Sequence, residues 1–238
     1  MKNNIQGLIL RVDAYKESDA LVEVLCQEKI ITLHARGIYK KNSKNLRLVQ
    51  PFSFCELMIE KRKGISLLLQ GKTIKNFYHI QENLEKSSAC FVLHDCIRFS
   101  DSFIFDSLIE AWNLADENDQ NFYTWACYLM KHILMLNGIN PYVDGCVFCK
   151  ESKVETLSIQ NGGFLCPNCN HGQFPSWNVE ALRKYRALFK CEIENFDILI
   201  SKFIFTIDDF IFLSKWFEYY DHRPLNSLKF LKDIYNLK

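Results

Sequence analysis

The chain has 238 residues, 48% hydrophobic and 24% charged, which suits one large domain or two modest ones and argues against disorder along most of its length. No basic-then-apolar leader opens it, and no stretch approaches the ~20 apolar residues of a membrane span, so a cytoplasmic protein without membrane contact is expected. The net charge of +1 is a cancellation, because residues 1–80 hold fourteen Lys and Arg against seven Asp and Glu, a net of +7, while the remainder carries −6. A basic first third suits a polyanionic partner, and an acidic remainder opposes indiscriminate coating of nucleic acid.

In chain order, residues 5–12, 21–27, 30–35, 52–60, 65–70 and 73–79 have the length and β-branched, aromatic composition of strands. Five or six such strands fit a small barrel. Residues 37–50 are too polar for a strand and read as a long loop, and Lys61, Arg62, Lys63 and Gly64 read as a hairpin turn. After Gln81 the period becomes helical over 83–99, 102–115 and 120–137, with Gly138 and Pro141 closing the third helix. A cysteine-rich interruption at 141–175 precedes helices at 176–189, 206–220 and 225–235. Thr206 followed by Asp209 resembles a capping box, and Pro224 stops the penultimate helix. The chain thus reads as an α+β protein with a strand domain at 1–80 and a helical domain at 81–238 that includes the cysteine module.

The strongest local signal is Cys146, Cys149, Cys166 and Cys169, two C-x2-C pairs sixteen residues apart. Each pair aims two sulfurs at one point, and the intervening residues return the second pair as a hairpin, with Gly145, Gly162 and Gly163 relieving the backbone at the turns. Four thiolates complete a tetrahedral Zn2+ and leave no position for water or substrate, so one structural zinc ion is expected. His171 is an alternative fourth ligand. A redox pair would want a βαβ setting, and a zinc deaminase would want Glu two residues after an upstream His, which His34, His79, His94 and His132 lack. Cys26, Cys55, Cys90, Cys96, Cys127 and Cys191 read as small buried hydrophobes.

Candidate nucleic-acid contacts are Arg36, Lys40, Lys41, Lys44 and Arg47 in the long loop and Lys61, Arg62 and Lys63 in the hairpin, two loops that can share one barrel rim. Such cations neutralise phosphates, and Tyr39, Tyr15 or Phe77 can offer stacking faces to unpaired bases; the competing reading is a solvated loop over core aromatics. Phe52 and Phe54 read as core. No phosphate-binding glycine loop follows Gly37, and neither G-x-S-x-G nor H-E-x-x-H occurs, so no enzyme activity is expected.

Three ordered groups of residues resemble the bacterial RecO recombination mediators. At the start these are Gly7-Leu8-Ile9-Leu10, Tyr15, Glu17, Asp19, Arg36-Gly37, Ser43 and Pro51-Phe52. In the middle they are Leu136, Gly138, Pro141, both cysteine pairs and Gly162-Gly163, and near the end Tyr220, His222-Arg223-Pro224-Leu225 and Ser227. The resemblance implies an oligonucleotide/oligosaccharide-binding (OB) fold followed by an α-helical domain with a zinc-binding insertion. It also implies binding of single- and double-stranded DNA, annealing of complementary strands, and recruitment by the C-terminal tail of single-stranded DNA-binding protein. Work with RecR to help RecA displace that protein, in the RecFOR pathway of recombinational repair, is implied likewise. A zinc-ribbon module that bridges proteins without a direct DNA function is the alternative.

Overall fold

The computed structural model describes residues 2–43, 45–46, 48–97, 105–117 and 121–237. Five strands, β1 (Lys2–Tyr15), β2 (Asp19–Leu25), β3 (Ile30–Ala35), β4 (Ser53–Glu60) and β5 (Ser66–Asn76), close into a barrel in the order β1-β2-β3-β5-β4. All pairings are antiparallel except β3 with β5. This is the OB arrangement. Alternation along β2 and β4 sends Ala20, Val22, Val24, Cys55, Leu57 and Ile59 inward, where they meet Leu33 and Leu68. Ile38, Leu48 and Val49 from the segment after β3 join the same core.

The strands expected at 65–70 and 73–79 are one continuous β5. Gly71 carries it past β4, where a Cβ would lie 2.7 Å from the Glu56 carbonyl oxygen. Glycine here permits close backbone approach and does not mark a turn. His79 belongs to a short helix, α1 (Tyr78–Glu82), followed by α2 (Leu84–Ile97) and α3 (Phe105–Glu117). Barrel and helices α1 to α3 form one compact unit spanning 1–119 together with the last two residues. The change from strands to helices near residue 80 lies inside that unit.

Phe52 stitches the unit together. It is a buried non-glycine residue in the left-handed region, φ 64°. Its N–H donates to Ile9 at 3.0 Å, its carbonyl accepts from Phe77 at 3.1 Å, and its ring lies 4.9 to 5.3 Å from Phe91, His94 and Trp112. His94 donates through Nδ1 to the Leu10 carbonyl at 2.9 Å. Burial without a charged partner holds its pKa down at about 3, so the ring is neutral.

The second unit spans 120–236. Helix α4 (Phe122–Leu136) is apolar on nearly every face and is correspondingly buried. A hairpin of β6 (Thr156–Ser158) and β7 (Gly163–Leu165), a single turn α5 (Pro167–Asn170), then α6 (Val179–Lys190), α7 (Phe196–Lys202), α8 (Ile207–Asp221) and α9 (Asn226–Asn236) follow. The Thr206 N–H donates to Asp209 at 2.8 Å, closing the expected capping box. Helix α7 was not expected. It seats Phe196 against Trp125 of α4, with ring centroids 3.8 Å apart.

Candidate metal centre and nucleic-acid interface

Both cysteine pairs sit in tight turns that flank the β6–β7 hairpin, the first ahead of β6 and the second directly after β7. In the first, the Cys146 N–H donates to Glu151 at 2.8 Å and the Lys150 N–H to Cys146 at 3.0 Å, with Lys150 left-handed at φ 63°. In the second, β7 runs into Cys166, and the N–H groups of Cys169 and Asn170 donate back to the Cys166 carbonyl at 3.1 and 2.9 Å. Gly163 is required between them. Its φ is 157°, and a Cβ would lie 2.3 Å from the Tyr142 carbonyl oxygen.

The four sulfurs converge, all within 4.8 Å of one another, with Cys149 and Cys166 at 3.5 Å. A tetrahedral ion with bonds of about 2.3 Å sets its sulfurs roughly 3.7 Å apart, so the cluster fits one metal ion with no position left open. Burial opposes charge on Cys146, but N–H groups converging from Cys149, Cys166 and Phe148 outweigh it and bring the thiol down to about 6. The Cys169 thiol, beside the Cys149 and Cys166 sulfurs, is pushed up to about 12. A shared cation removes this mutual opposition. His171 is exposed, caps α5 in the left-handed conformation and is not in the cluster.

Beneath the second knuckle, sequence reasoning missed Asn170. It is 1% exposed; its Nδ2 donates to Glu155 at 2.7 Å and to the Phe174 carbonyl at 2.8 Å, and its Oδ1 accepts from the Phe174 N–H at 3.0 Å. Glu155 also accepts from Ser176, and its carbonyl accepts from the Trp177 N–H. Nearby, Tyr220 donates to the Ile159 carbonyl of the hairpin at 2.7 Å, and Asp144 pairs with Lys190 of α6 at 2.7 Å. An Asn directly after a knuckle cysteine is the one sequence cue to this bracing.

Among the basic residues, Arg36, Tyr39, Lys40 and Lys41 are exposed after β3, whereas Lys44 and Arg47 lie outside the described residues. The turn is pinned by Asp19, which accepts from the Gly37 N–H at 2.8 Å and from His34 at 2.7 Å. These two contacts hold its carboxyl below the usual carboxylate range. The Tyr39 N–H donates to Ser18 of the β1–β2 turn, so Arg36 to Lys41 gather with Tyr15 and Lys16. Tyr15 and Tyr39 are 40% and 46% exposed, but Phe77 is fully buried and offers no stacking face.

Lys61, Arg62 and Lys63 are exposed on the β4–β5 hairpin. Because β3 and β5 run parallel, with Leu33 beside Ser66 and Ala35 beside Leu68, the segment after β3 leaves from one barrel end and the hairpin feeds the other. The shared rim is therefore not formed. The clusters stand at opposite ends of the β2–β3 wall, whose half-buried side chains include Leu21, Glu23, Thr32 and His34.

Residues 1–77 match the family model described as the recombination protein O N-terminal domain. That segment contains the whole barrel. A protein of Syntrophomonas wolfei named DNA repair protein RecO is 28% identical over 70% of this chain and 69% of its own length. The first third of the chain is thus similar to the RecO N-terminal domain, and some 70% of the chain is similar to proteins named RecO. Proteins of the same name from Halalkalibacterium halodurans and Bacillus subtilis are each 27% identical over 71% of this chain and 69% of theirs. No helix among the described residues is long and apolar enough to cross a membrane.

Proposed function

We propose that this chain is a RecO-type, non-enzymatic mediator of recombinational DNA repair that grips DNA on its barrel while a structural zinc ion braces the helical half. The observation that carries this is the closed barrel with cationic loops at both ends of its β2–β3 wall. OB barrels bind oligonucleotides on the β2–β3 face between the β1–β2 and β4–β5 loops. Lys16, Arg36, Lys40 and Lys41 stand at the first of these positions, Lys61, Arg62 and Lys63 at the second. A strand laid between them is held by its phosphates at two points about 20 Å apart, the length of a six-residue strand. Its bases stay accessible, so a complementary strand meets reduced repulsion and anneals without a catalytic group. Both single- and double-stranded DNA are bound, Lys44 and Arg47 contribute phosphate contacts, and 1–80 is the DNA-binding region of a cytoplasmic, nucleoid-associated protein. Partnership with RecR, recruitment by the tail of single-stranded DNA-binding protein, and loading of RecA complete the reading.

The ion is Zn2+, by the preference of four thiolates in a closed tetrahedral set. It supplies rigidity when bound. The module's own residues provide the rest, with Asn170 and Glu155 holding the second knuckle and Gly163 letting Tyr142 approach.

The test is DNA affinity measured across a salt series, with Lys40→Glu and Lys41→Glu combined. Each lost phosphate contact flattens the slope of log K against log salt by roughly 0.7–0.9, so the double variant loses up to about 1.8 and binds more weakly at low salt. Unchanged affinity and slope remove this loop from the interface. The competing reading, a zinc-ribbon interaction module, has the 63%-exposed Phe148 of the first knuckle in its favour. It requires the wild type to show no salt-dependent DNA binding.

A further inference from the structure

The two ends of the barrel are closed differently. Ile38, Leu48 and Val49 pack into the core from the segment after β3. On the hairpin side a cleft of about 680 Å³ opens between the β2–β3 turn, the β4–β5 hairpin and the start of β1, with Phe105 of α3 as one wall. Ile5, Ile31 and Ile59 line it, and the first two are only partly covered by the barrel core. Apart from Cys26, its remaining lining is polar. Gln6 and Gln27 bring side-chain amides, and Lys29 and Lys61 outnumber the one carboxylate of the lining, Glu28, while Arg62 is paired with Glu60 at 2.6 Å.

We propose that this cleft seats one unpaired nucleotide of a DNA strand, the base against the isoleucines and its flanking phosphates on Lys29 and Lys61. The inference rests on the DNA-binding reading above and deepens it, because it assigns a base-holding site and a preference for single strands. An occupant must combine an apolar body, a hydrogen-bonding edge and negative charge, and a nucleotide has all three. The apolar lining gives a base somewhere to leave water, the amides supply donors and acceptors for its edge, and net positive charge matches the backbone. A stacked duplex keeps its bases out of reach of such a slot, so paired DNA gains only the phosphate contacts.

The experiment compares full-length wild type with Lys29→Glu/Lys61→Glu and with Ile31→Glu by fluorescence anisotropy. The probes are labelled oligothymidylate, the same backbone with abasic sites, and a duplex. Thermal unfolding checks that each variant folds, and the exposed double variant carries the test if Ile31→Glu does not. Wild type is expected to bind oligothymidylate roughly tenfold more tightly than the abasic strand, and both variants to lose most of that difference while duplex affinity falls less. Equal binding of abasic and thymidine strands by wild type overturns the proposal, as does a base preference that survives both variants. Either result leaves DNA binding by the barrel standing. Failure of wild type to bind any DNA overturns both readings. Saturable binding of an acidic peptide that Lys29→Glu removes, with the abasic comparison flat, makes the cleft a peptide site instead.

Discussion

Replacing Asn170 by Ala deletes three hydrogen bonds beneath the second knuckle and leaves the Phe174 N–H, the Phe174 carbonyl and one Glu155 oxygen without those partners. The site is buried, but Glu155 keeps its contact with Ser176, so each loss is set at the low end of the range for an unsatisfied group, about 1 kcal/mol. The expected cost is about 3 kcal/mol, which for a unit of this size lowers the melting temperature by roughly 12 °C. Urea unfolding followed by tryptophan fluorescence, on protein of matched metal content, measures it. Asn170→Asp is the sharper comparison, since it keeps the acceptor for the Phe174 N–H but sets a second carboxylate against Glu155. Its deficit shrinks on acidification through the carboxylate range, whereas that of Asn170→Ala does not. A loss below about 0.5 kcal/mol for Asn170→Ala refutes the bracing role.

Elemental analysis is expected to find one zinc per chain in wild type and none in Cys166→Ser, with chelation lowering the unfolding midpoint of the second unit; an identical midpoint after metal removal contradicts a structural ion. For His94, the folded pKa of about 3 lies below the ordinary 6.5, so in that window the unfolded chain binds a proton that the native chain does not. The stabilisation is complete above pH 6.5 and falls by about 1.4 kcal/mol per unit as pH drops toward 3. Urea midpoints taken from pH 7 to 4 should show that slope in wild type and a flatter one in His94→Gln; parallel curves refute the assignment.

Strands β1 to β4 were legible from their β-branched and aromatic composition, and the longer helices from apolar residues three and four apart, clearest in α6 and α9, while the metal ligands were legible because C-x2-C spacing is nearly a geometric instruction. The errors have local causes. A glycine mid-strand looks like a turn until the partner strand is known to cross there, which is why β5 was read as two strands around Gly71. Helix α7 is only seven residues long, and its cue, Phe196 and Leu199 three apart, is too brief to read as a period. Joining the two basic loops on one rim failed for a topological reason, because sequence does not reveal that β3 and β5 run parallel. Asn170 was invisible for another. Its partners, Glu155 and Phe174, are distributed around a fold that exists only once the hairpin has formed.

Phe52 has a practical bearing on dissection of the molecule. A fragment ending near residue 80, where the strand pattern stops and the family model ends, would discard Phe91, His94 and Trp112. It would thus keep a backbone conformation that an aromatic residue adopts at a cost, without the ring contacts that make it worthwhile. Such a fragment would present Phe52 and Phe77 to water as a sticky seam. Recombinant work on the barrel alone is better begun from a piece that runs through residue 117.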